Sequence, residues 1–270
     1  MNGGSALSHF GRCCITAQKS DVEVMLKAAL KKSPEALVEL LERRETVLRL
    51  SPIMLVLTGQ PRVKSPLMQL DHVGTVALLL RYGARPTARC VCGKTVVHYG
   101  AGVMANPTTL EMVSLCIAAS KAGPPPGTEV GLVGLSKESL NGSLGIVRGY
   151  IGESGRRVVC FPDGAELAIK PANIHIAGGQ DGGGAAAGGG GSGGTAAATP
   201  LVDMQDRFGE VSLHGVLCGN RGDVTKFLAD THGAAVNIQD ADGIDAETLV
   251  KRISMGSPDA CNVLQRIIAR

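Results

Sequence analysis

The sequence contains no tryptophan, and phenylalanine and tyrosine make up only 3% of its 270 residues. This scarcity disfavours a β-sandwich, whose core depends on large aromatic side chains, and favours helices packed through small residues. Charged residues are also few, at 19%, and 27 basic against 24 acidic side chains leave a net charge of +3. Such a balance gives no general reason to expect nucleic acid or an anionic membrane as the partner.

Long apolar runs are missing as well. Runs such as residues 53–57 and 76–80 are far shorter than the roughly 18 residues of a spanning helix. The N-terminus lacks the charged-then-apolar pattern of a secretion signal. We therefore expect no membrane insertion and a monomer in the cytoplasm or nucleus. Eight cysteines at irregular spacing, without such a signal, favour reduced and mostly buried thiols.

The most informative stretch is 206–240, DRFGEVSLHGVLCGNRGDVTKFLADTHGAAVNIQD. Its cues for a turn, a helix, a second helix and a closing hairpin fall in register over about 33 residues, and it resembles a complete ankyrin repeat. A second copy of the opening motif starts at residue 93, and residues 72–84 resemble the second helix of such a repeat. The resemblance implies structural roles for the motif residues. These are Gly93, Thr95, His98, Gly209, Leu213, His214, Gly233 and Ala234.

The helical pattern breaks at residues 123–127, GPPPG, and alternating hydrophobicity follows. Short strands are predicted at 130–135, 145–151, 157–161 and 167–170, separated by turn signals. This segment resembles, more loosely, the small barrels of the Src-homology-3 or KOW kind. The Gly/Ala tract that follows lacks the apolar bulk to fold and predicts a flexible linker.

These observations predict a mainly α fold: an ankyrin-repeat solenoid with an inserted small all-β barrel and a flexible Gly/Ala linker. Both ends of the helical array are expected to be atypical, because one face of each terminal unit meets water. The expected units are a helical cap at 1–48, repeats at 49–122, the barrel at 123–177, the linker at 178–199, and repeats with a C-terminal cap at 200–270.

No catalytic, cofactor or metal site is expected. Cys90 and Cys92 form a close pair, but a zinc site would need a second pair of ligands nearby. Redox sensitivity of this pair would require both cysteines to be exposed at the tip of a loop. Gly93-Lys94-Thr95 looks like the end of a phosphate loop, but Ala88 stands where that motif requires glycine. His98 and His214 are interpreted as structural groups rather than as ligands or bases.

The whole pattern resembles a group of ankyrin-repeat proteins from algae and other protists, which often end in a MYND-type zinc finger. This chain stops at Arg270 without the cysteines of that finger. The resemblance implies a non-enzymatic scaffold that binds a protein partner on its concave and fingertip surface. The tip positions predicted to make that contact are Arg89, Val91, Lys94, Gln205, Arg207, Phe208, Gln239 and Ala241.

An alternative hypothesis assigns binding of RNA or a peptide to the barrel at 127–177. Arg148, Arg156, Arg157 and Lys170 would supply its positive charge. Only Tyr150 and Phe161 offer aromatic rings there, which is a poor stacking platform for bases.

Overall fold

The structure, a computed structural model, describes residues 7–45, 47–59, 70–102, 107–177, 199–253 and 258–268. The predicted linker at 178–199 lies outside these residues except for Thr199. No described helix is long and apolar enough to cross a membrane.

Several helices begin directly after a capping side chain. Ser33 and Ser51 each precede a proline at the first helical position, and their hydroxyls accept hydrogen bonds from the amides of Ala36 (3.1 Å) and Met54 (3.4 Å). Asp71 accepts from the amide of Gly74 at 2.7 Å. The helices are α1 (His9–Ile15), α2 (Lys19–Lys32), α3 (Pro34–Glu42), α4 (Pro52–Thr58), α5 (His72–Arg81), α6 (Val96–Gly102), α7 (Pro107–Lys121), α8 (Ser212–Cys218), α9 (Gly222–Lys226), α10 (Ala246–Ile253) and α11 (Pro258–Ile268).

The helices pack against each other around one hydrophobic core. Contacts join α2 to α3, α5 to α7, α6 to α8, and α9 to α11. Fully buried side chains in this core include Leu26, Leu79, Met112 and Leu213. A π-helical turn at Phe227–Thr231 follows directly on α9.

The middle of the chain forms one antiparallel sheet. Its strands are β1 (Glu129–Leu132), β2 (Leu144–Ile151), β3 (Arg156–Cys160), β4 (Glu166–Ile169) and β5 (Ile174–Ile176), in the order β4-β3-β2-β1-β5. The first four lie where alternating hydrophobicity predicts them. The pairing of β2 with β3 shifts register between Val147 and Gly149, which marks a bulge.

The predicted closed barrel is wrong. Closure requires the two end strands to pair, and among the described residues β4 pairs with β3 and β5 pairs with β1. One face of the open sheet has its own small core, which contains Val130, Leu132 and Val159. Elsewhere the sheet packs against helices, as α5 does against β2.

The predicted mainly α solenoid is also wrong: the described part of the chain is about half helical and includes the five-stranded sheet, and no ankyrin solenoid is identified among these residues. The sheet is built into the helical core instead of hanging from a loop. Tyr150 of β2 lies in that core, and α5 contacts β2 directly. Arg157 of β3 is 3% exposed and donates to the carbonyls of Ala119 (2.7 Å), Ala122 (3.2 Å) and Gly123 (3.0 Å) at the end of α7. The sheet therefore shares part of its packing with the helices, whereas in a solenoid each repeat would pack only against its neighbouring repeats.

Candidate functional site

Four loops lie in a row along one side of the helical part, joined by backbone hydrogen bonds. The amide of Val91 donates to the carbonyl of Leu48 at 3.0 Å, and the amide of Arg207 donates to the carbonyl of Cys92 at 3.0 Å. The amide of Ala241 donates to the carbonyl of Phe208 at 2.9 Å. We call this row the tip edge; it comprises residues 47–49, 88–94, 205–210 and 239–243. Its backbone is thus held loop to loop.

Each of the last two loops is shaped by an aspartate at its start. One carboxylate oxygen of Asp206 accepts from the amides of Phe208 (2.8 Å) and Glu210 (3.1 Å). Asp240 repeats the pattern with the amides of Asp242 and Ile244, both at 2.9 Å. Such local bonds are the usual reason for aspartate in tight turns. They hold the exposed side chains of these loops in place.

Glycines allow the loops to approach each other closely. Gly93 and Gly209 have φ of +77° and +75°, a region that other residues adopt only with strain. A Cβ on Gly93 would lie 2.7 Å from the amide nitrogen of Arg207, and one on Gly209 would lie 2.8 Å from that of Ala241. Gly243 has the same conformation, with φ +74°, but a Cβ there would meet no atom within 4 Å.

Two histidines connect the last three loops to each other. The Nδ1 atom of His98 accepts from the amide of Thr95 at 3.1 Å, and its Nε2 lies 3.1 Å from the carbonyl of Glu210. His214 has the same arrangement with the amide of Val211 (3.2 Å) and the carbonyl of Ile244 (2.9 Å). Because Nδ1 accepts and Nε2 donates, both rings are neutral in this geometry. Burial lowers the pKa of His98, and the Glu210 carbonyl only partly offsets that effect.

The structure brings the predicted tip residues together on this edge. Arg89 donates to the carbonyls of Gly93 (3.0 Å) and Gln205. The side-chain amide of Gln205 donates to the carbonyls of Gly209 and Gln239, both at 2.8 Å. The exposed members are Arg89, Val91, Gln205, Arg207, Phe208, Gln239 and Ala241.

Lys94 differs from the other predicted tip residues because it is half-buried. Its ammonium lies 3.8 Å from the second carboxylate oxygen of Asp206, whose side chain is completely buried. Three of the four remaining motif residues lie inside, whereas Gly233 is exposed. Thr95, Leu213 and Ala234 are buried, and Gly233 has φ +70° beyond the π-helical turn.

Exposed apolar side chains follow the tip edge from loop to loop. Leu48 is 43% exposed, Val91 45% and Phe208 50%. The guanidinium of Arg207 lies over the Phe208 ring, 4.7 Å from its centroid. Sequence reasoning missed Leu48 and its neighbour Val47, because the first loop carries none of the repeat motif. The only signal was the pair of apolar residues between Arg44 and Arg49.

The structure offers no support for a metal site or for a redox-sensitive cysteine pair among the described residues. Within the described part of the chain, no group of three or more His, Cys, Asp or Glu side chains could hold a metal ion. Cys90 is buried and its sulfur accepts from the amide of Cys92 at 3.3 Å, so the exposure that redox sensing would need is lacking at Cys90.

Three of the four basic side chains predicted to supply positive charge here have partners within the protein, and Lys170 is exposed. Arg157 is buried against α7, as described above. Arg148 pairs with Glu166, and Arg156 donates to the carbonyl of Ala168 at 3.1 Å. Tyr150 is 5% exposed, so its ring faces the helical core and not solvent.

No protein-family model matches the sequence, and no curated protein is significantly similar to it.

Proposed function

We propose that this protein is a non-enzymatic binding module that holds a segment of a protein partner on its tip edge. The observation that carries the proposal is the row of exposed apolar side chains, Leu48, Val91 and Phe208, on loops whose backbones are hydrogen-bonded to each other. Exposed apolar groups that line up on a rigid support are typical of interaction sites. A rigid surface also loses little conformational entropy when a partner binds.

The chemistry of the tip edge favours a partner segment that combines acidic and apolar residues. Arg89 and Arg207 are exposed beside the apolar row. The carboxylates of Asp206 and Asp240 each direct one oxygen to backbone amides, and the other oxygen of Asp206 lies 3.8 Å from the Lys94 ammonium, so neither is paired with Arg89 or Arg207 in the described structure. Arginine next to an aromatic ring is a frequent centre of binding energy in protein interfaces.

Affinity capture with the whole chain tests the proposal, with wild-type bait compared with the variant Arg207→Glu/Phe208→Asp. The variant is expected to lose its partner, because it reverses the local charge and removes the largest exposed apolar group of the row. Bound proteins are then cut into overlapping peptides and tested for direct binding to the bait. The proposal predicts that the binding peptides are acidic and contain apolar residues.

A matched bait, Val24→Asp, controls for the loss of an exposed apolar group elsewhere. Val24 is 66% exposed on α2, away from the tip edge. This bait should capture the same proteins as wild type. If the double variant still captured them, or if Val24→Asp lost them equally, the tip edge would not be the binding site.

Binding of RNA or a peptide by the sheet stays a prediction, and the proposal above does not depend on it. The internal partners of Arg148, Arg156 and Arg157 favour the tip edge over the sheet as the functional surface.

A further inference from the structure

A second surface, distinct from the tip edge, is an apolar groove between α3 and the sheet. The groove has a volume of about 480 Å³, within the roughly 300–1,000 Å³ of ligand-binding pockets. Leu37, Val38 and Leu41 of α3 form one wall, and Leu144 and Ile146 of β2 form the other, with Phe161 at one end. From these walls we infer that the groove binds a basic amphipathic helix of a protein partner.

The strand that forms one wall is an inner strand of the sheet and not an edge strand. β2 pairs with β1 on one side and with β3 on the other, and Ile146 is paired on both. The backbone of α3 is bonded within its helix. Neither edge strand of the sheet, β4 or β5, lines the groove. An extended peptide would therefore leave its own amides and carbonyls without partners, whereas a helix satisfies these groups internally.

The exposure of the walls indicates an occupant with one polar side. Val38 is 54% exposed, Leu144 51% and Ile146 53%, so the groove is open along its length. A small molecule usually binds where most of its own surface is covered. An amphipathic helix needs cover only for its apolar stripe and leaves its other face in water.

The charges of the groove select a basic helix. Arg85 pairs with Glu42 at 3.2 Å, and Arg148 pairs with Glu166, so these cations are already balanced. Glu129 lines the groove, is exposed, and has no ion-pair partner among the residues that the structure describes. A lysine or arginine at the border of the apolar stripe would complement it.

Fluorescence anisotropy with the full chain tests this inference. The probe is a labelled helical peptide of about 14 residues, or four turns, with leucine on one face and lysine on the other. Comparison probes are a leucine/glutamate helix with the same apolar face, a leucine/lysine peptide with strand-like alternation, and the neutral apolar dye Nile red. The lysine helix is expected to bind best, and about fivefold more tightly than the glutamate helix, as for one exposed ion pair. Glu129→Gln should remove that preference.

Matched substitutions locate the site. Ile146→Lys and Val38→Lys should each weaken binding of the lysine helix about tenfold or more, because each puts a charge where an apolar contact forms. Ile176→Lys and Val24→Lys replace equally exposed residues of a strand and a helix outside the groove, at 55% and 66% exposure, and should change affinity less than about twofold.

Photo-crosslinking of the lysine helix to the wild-type protein gives a readout that needs no variant, and labelled residues should lie on α3 and β2. Equal losses from groove and control substitutions would overturn the inference. Equal binding of the strand-like peptide and the lysine helix would also overturn it. A third contrary outcome is that the helix does not bind while Nile red does, and that Ile146→Lys abolishes the Nile red binding. The tip-edge variant Arg207→Glu/Phe208→Asp should bind the helix as wild type does, which separates this result from the fate of the proposed function.

Discussion

Two regions bind backbone amides and carbonyls through polar side chains that are largely shielded from water. One is the tip edge, and the other is the junction of Arg157 in β3 with the end of α7. The side chains that make these bonds differ between the two regions. At the tip edge, neutral imidazoles and aspartate carboxylates connect one loop to the next. At the junction, the single cation of Arg157 serves three carbonyls at the end of α7. Its guanidinium also lies 5.7 Å from the centroid of the Tyr150 ring.

The difference determines how each region responds to pH. His98, which is neutral in this geometry, must gain a proton in acid, and that proton displaces the hydrogen bond that its Nδ1 accepts from the amide of Thr95. Arginine keeps its charge at every ordinary pH, although burial lowers the pKa of Arg157. The tip edge is therefore acid-sensitive through His98, whereas the charge of Arg157 at the junction does not change over the ordinary pH range.

The largest effect is expected from Arg157→Ala. The change removes charge-assisted bonds to three carbonyls and should lower the free energy of unfolding by about 3 kcal/mol. Arg157→Lys should lose about half of that, because one ammonium cannot reach all three carbonyls. Urea unfolding measures both, and the neighbouring Arg156→Ala, which loses one bond to Ala168, is the control. If Arg157→Ala lowered the free energy of unfolding no more than Arg156→Ala does, the three bonds of Arg157 would not stabilise the junction as expected.

His98→Ala should cost about 2 kcal/mol at pH 8, since the amide of Thr95 and the carbonyl of Glu210 lose their shared partner. In the wild type this contribution should also depend on pH. Because burial lowers the folded pKa of His98, the unfolded chain binds the proton first. The stabilisation is complete above the unfolded pKa of about 6.5 and is lost as pH falls through the lower folded pKa.

Urea unfolding at several pH values between about 8 and 5 checks this expectation. Wild type should lose stability toward acid more steeply than His98→Ala, while Arg157→Lys should keep the wild-type slope. Parallel curves for wild type and His98→Ala would show that the imidazole does not titrate as its buried position requires. His72 and His232, whose pKa values burial also lowers, should contribute to the slope that remains.

Alanine substitutions at the tip glycines come next in size. Gly243→Ala adds only the strain of a positive φ, about 1 kcal/mol. Gly93→Ala and Gly209→Ala add the same strain plus a close approach to the next loop, at 2.7 Å and 2.8 Å. Thermal unfolding should therefore show a larger loss at these two positions than at Gly243. Equal losses at all three would mean that the loops are not held in contact.

The smallest effect is expected from Arg85→Ala at the rim of the groove. Its partner Glu42 is 42% exposed and Arg85 itself is 53% exposed. Water screens such a pair, and its loss should change the free energy of unfolding by less than about 1 kcal/mol. A loss near that of Arg157→Ala, measured by the same urea unfolding, would remove the distinction between the buried cation and the exposed ones.

Helix starts, turns and strands were predictable from the sequence where they depend on a few neighbouring residues. Serine directly before proline, as at Ser33 and Ser51, is typical of a helix start, and alternation placed the first four strands. The tip residues were predictable as a group, because each loop repeats a turn motif around Gly93 or Gly209. β5, with three residues, was missed because so short a strand has no clear alternation.

The arrangement of the elements was not predictable in the same way. Alternation in the middle of the chain is equally consistent with a closed barrel and an open sheet, since only the pairing of the end strands differs. The arginine pair at 156 and 157 looked like surface charge for a nucleic acid. Burial of Arg157 depends on the end of α7, which is distant in sequence, and nothing local distinguishes it from Arg156.

By itself, the sequence determined the caps, the turns and most of the strands, because these depend on bonds between residues a few positions apart. Tertiary structure alone decided that the sheet stays open, that Tyr150 enters the helical core, and that Leu48, Val91 and Phe208 lie on one edge. It also created the groove, whose walls come from residues about a hundred positions apart. The physical reason is that burial and loop-to-loop hydrogen bonds depend on which surfaces meet, and a local pattern describes only one of the two surfaces.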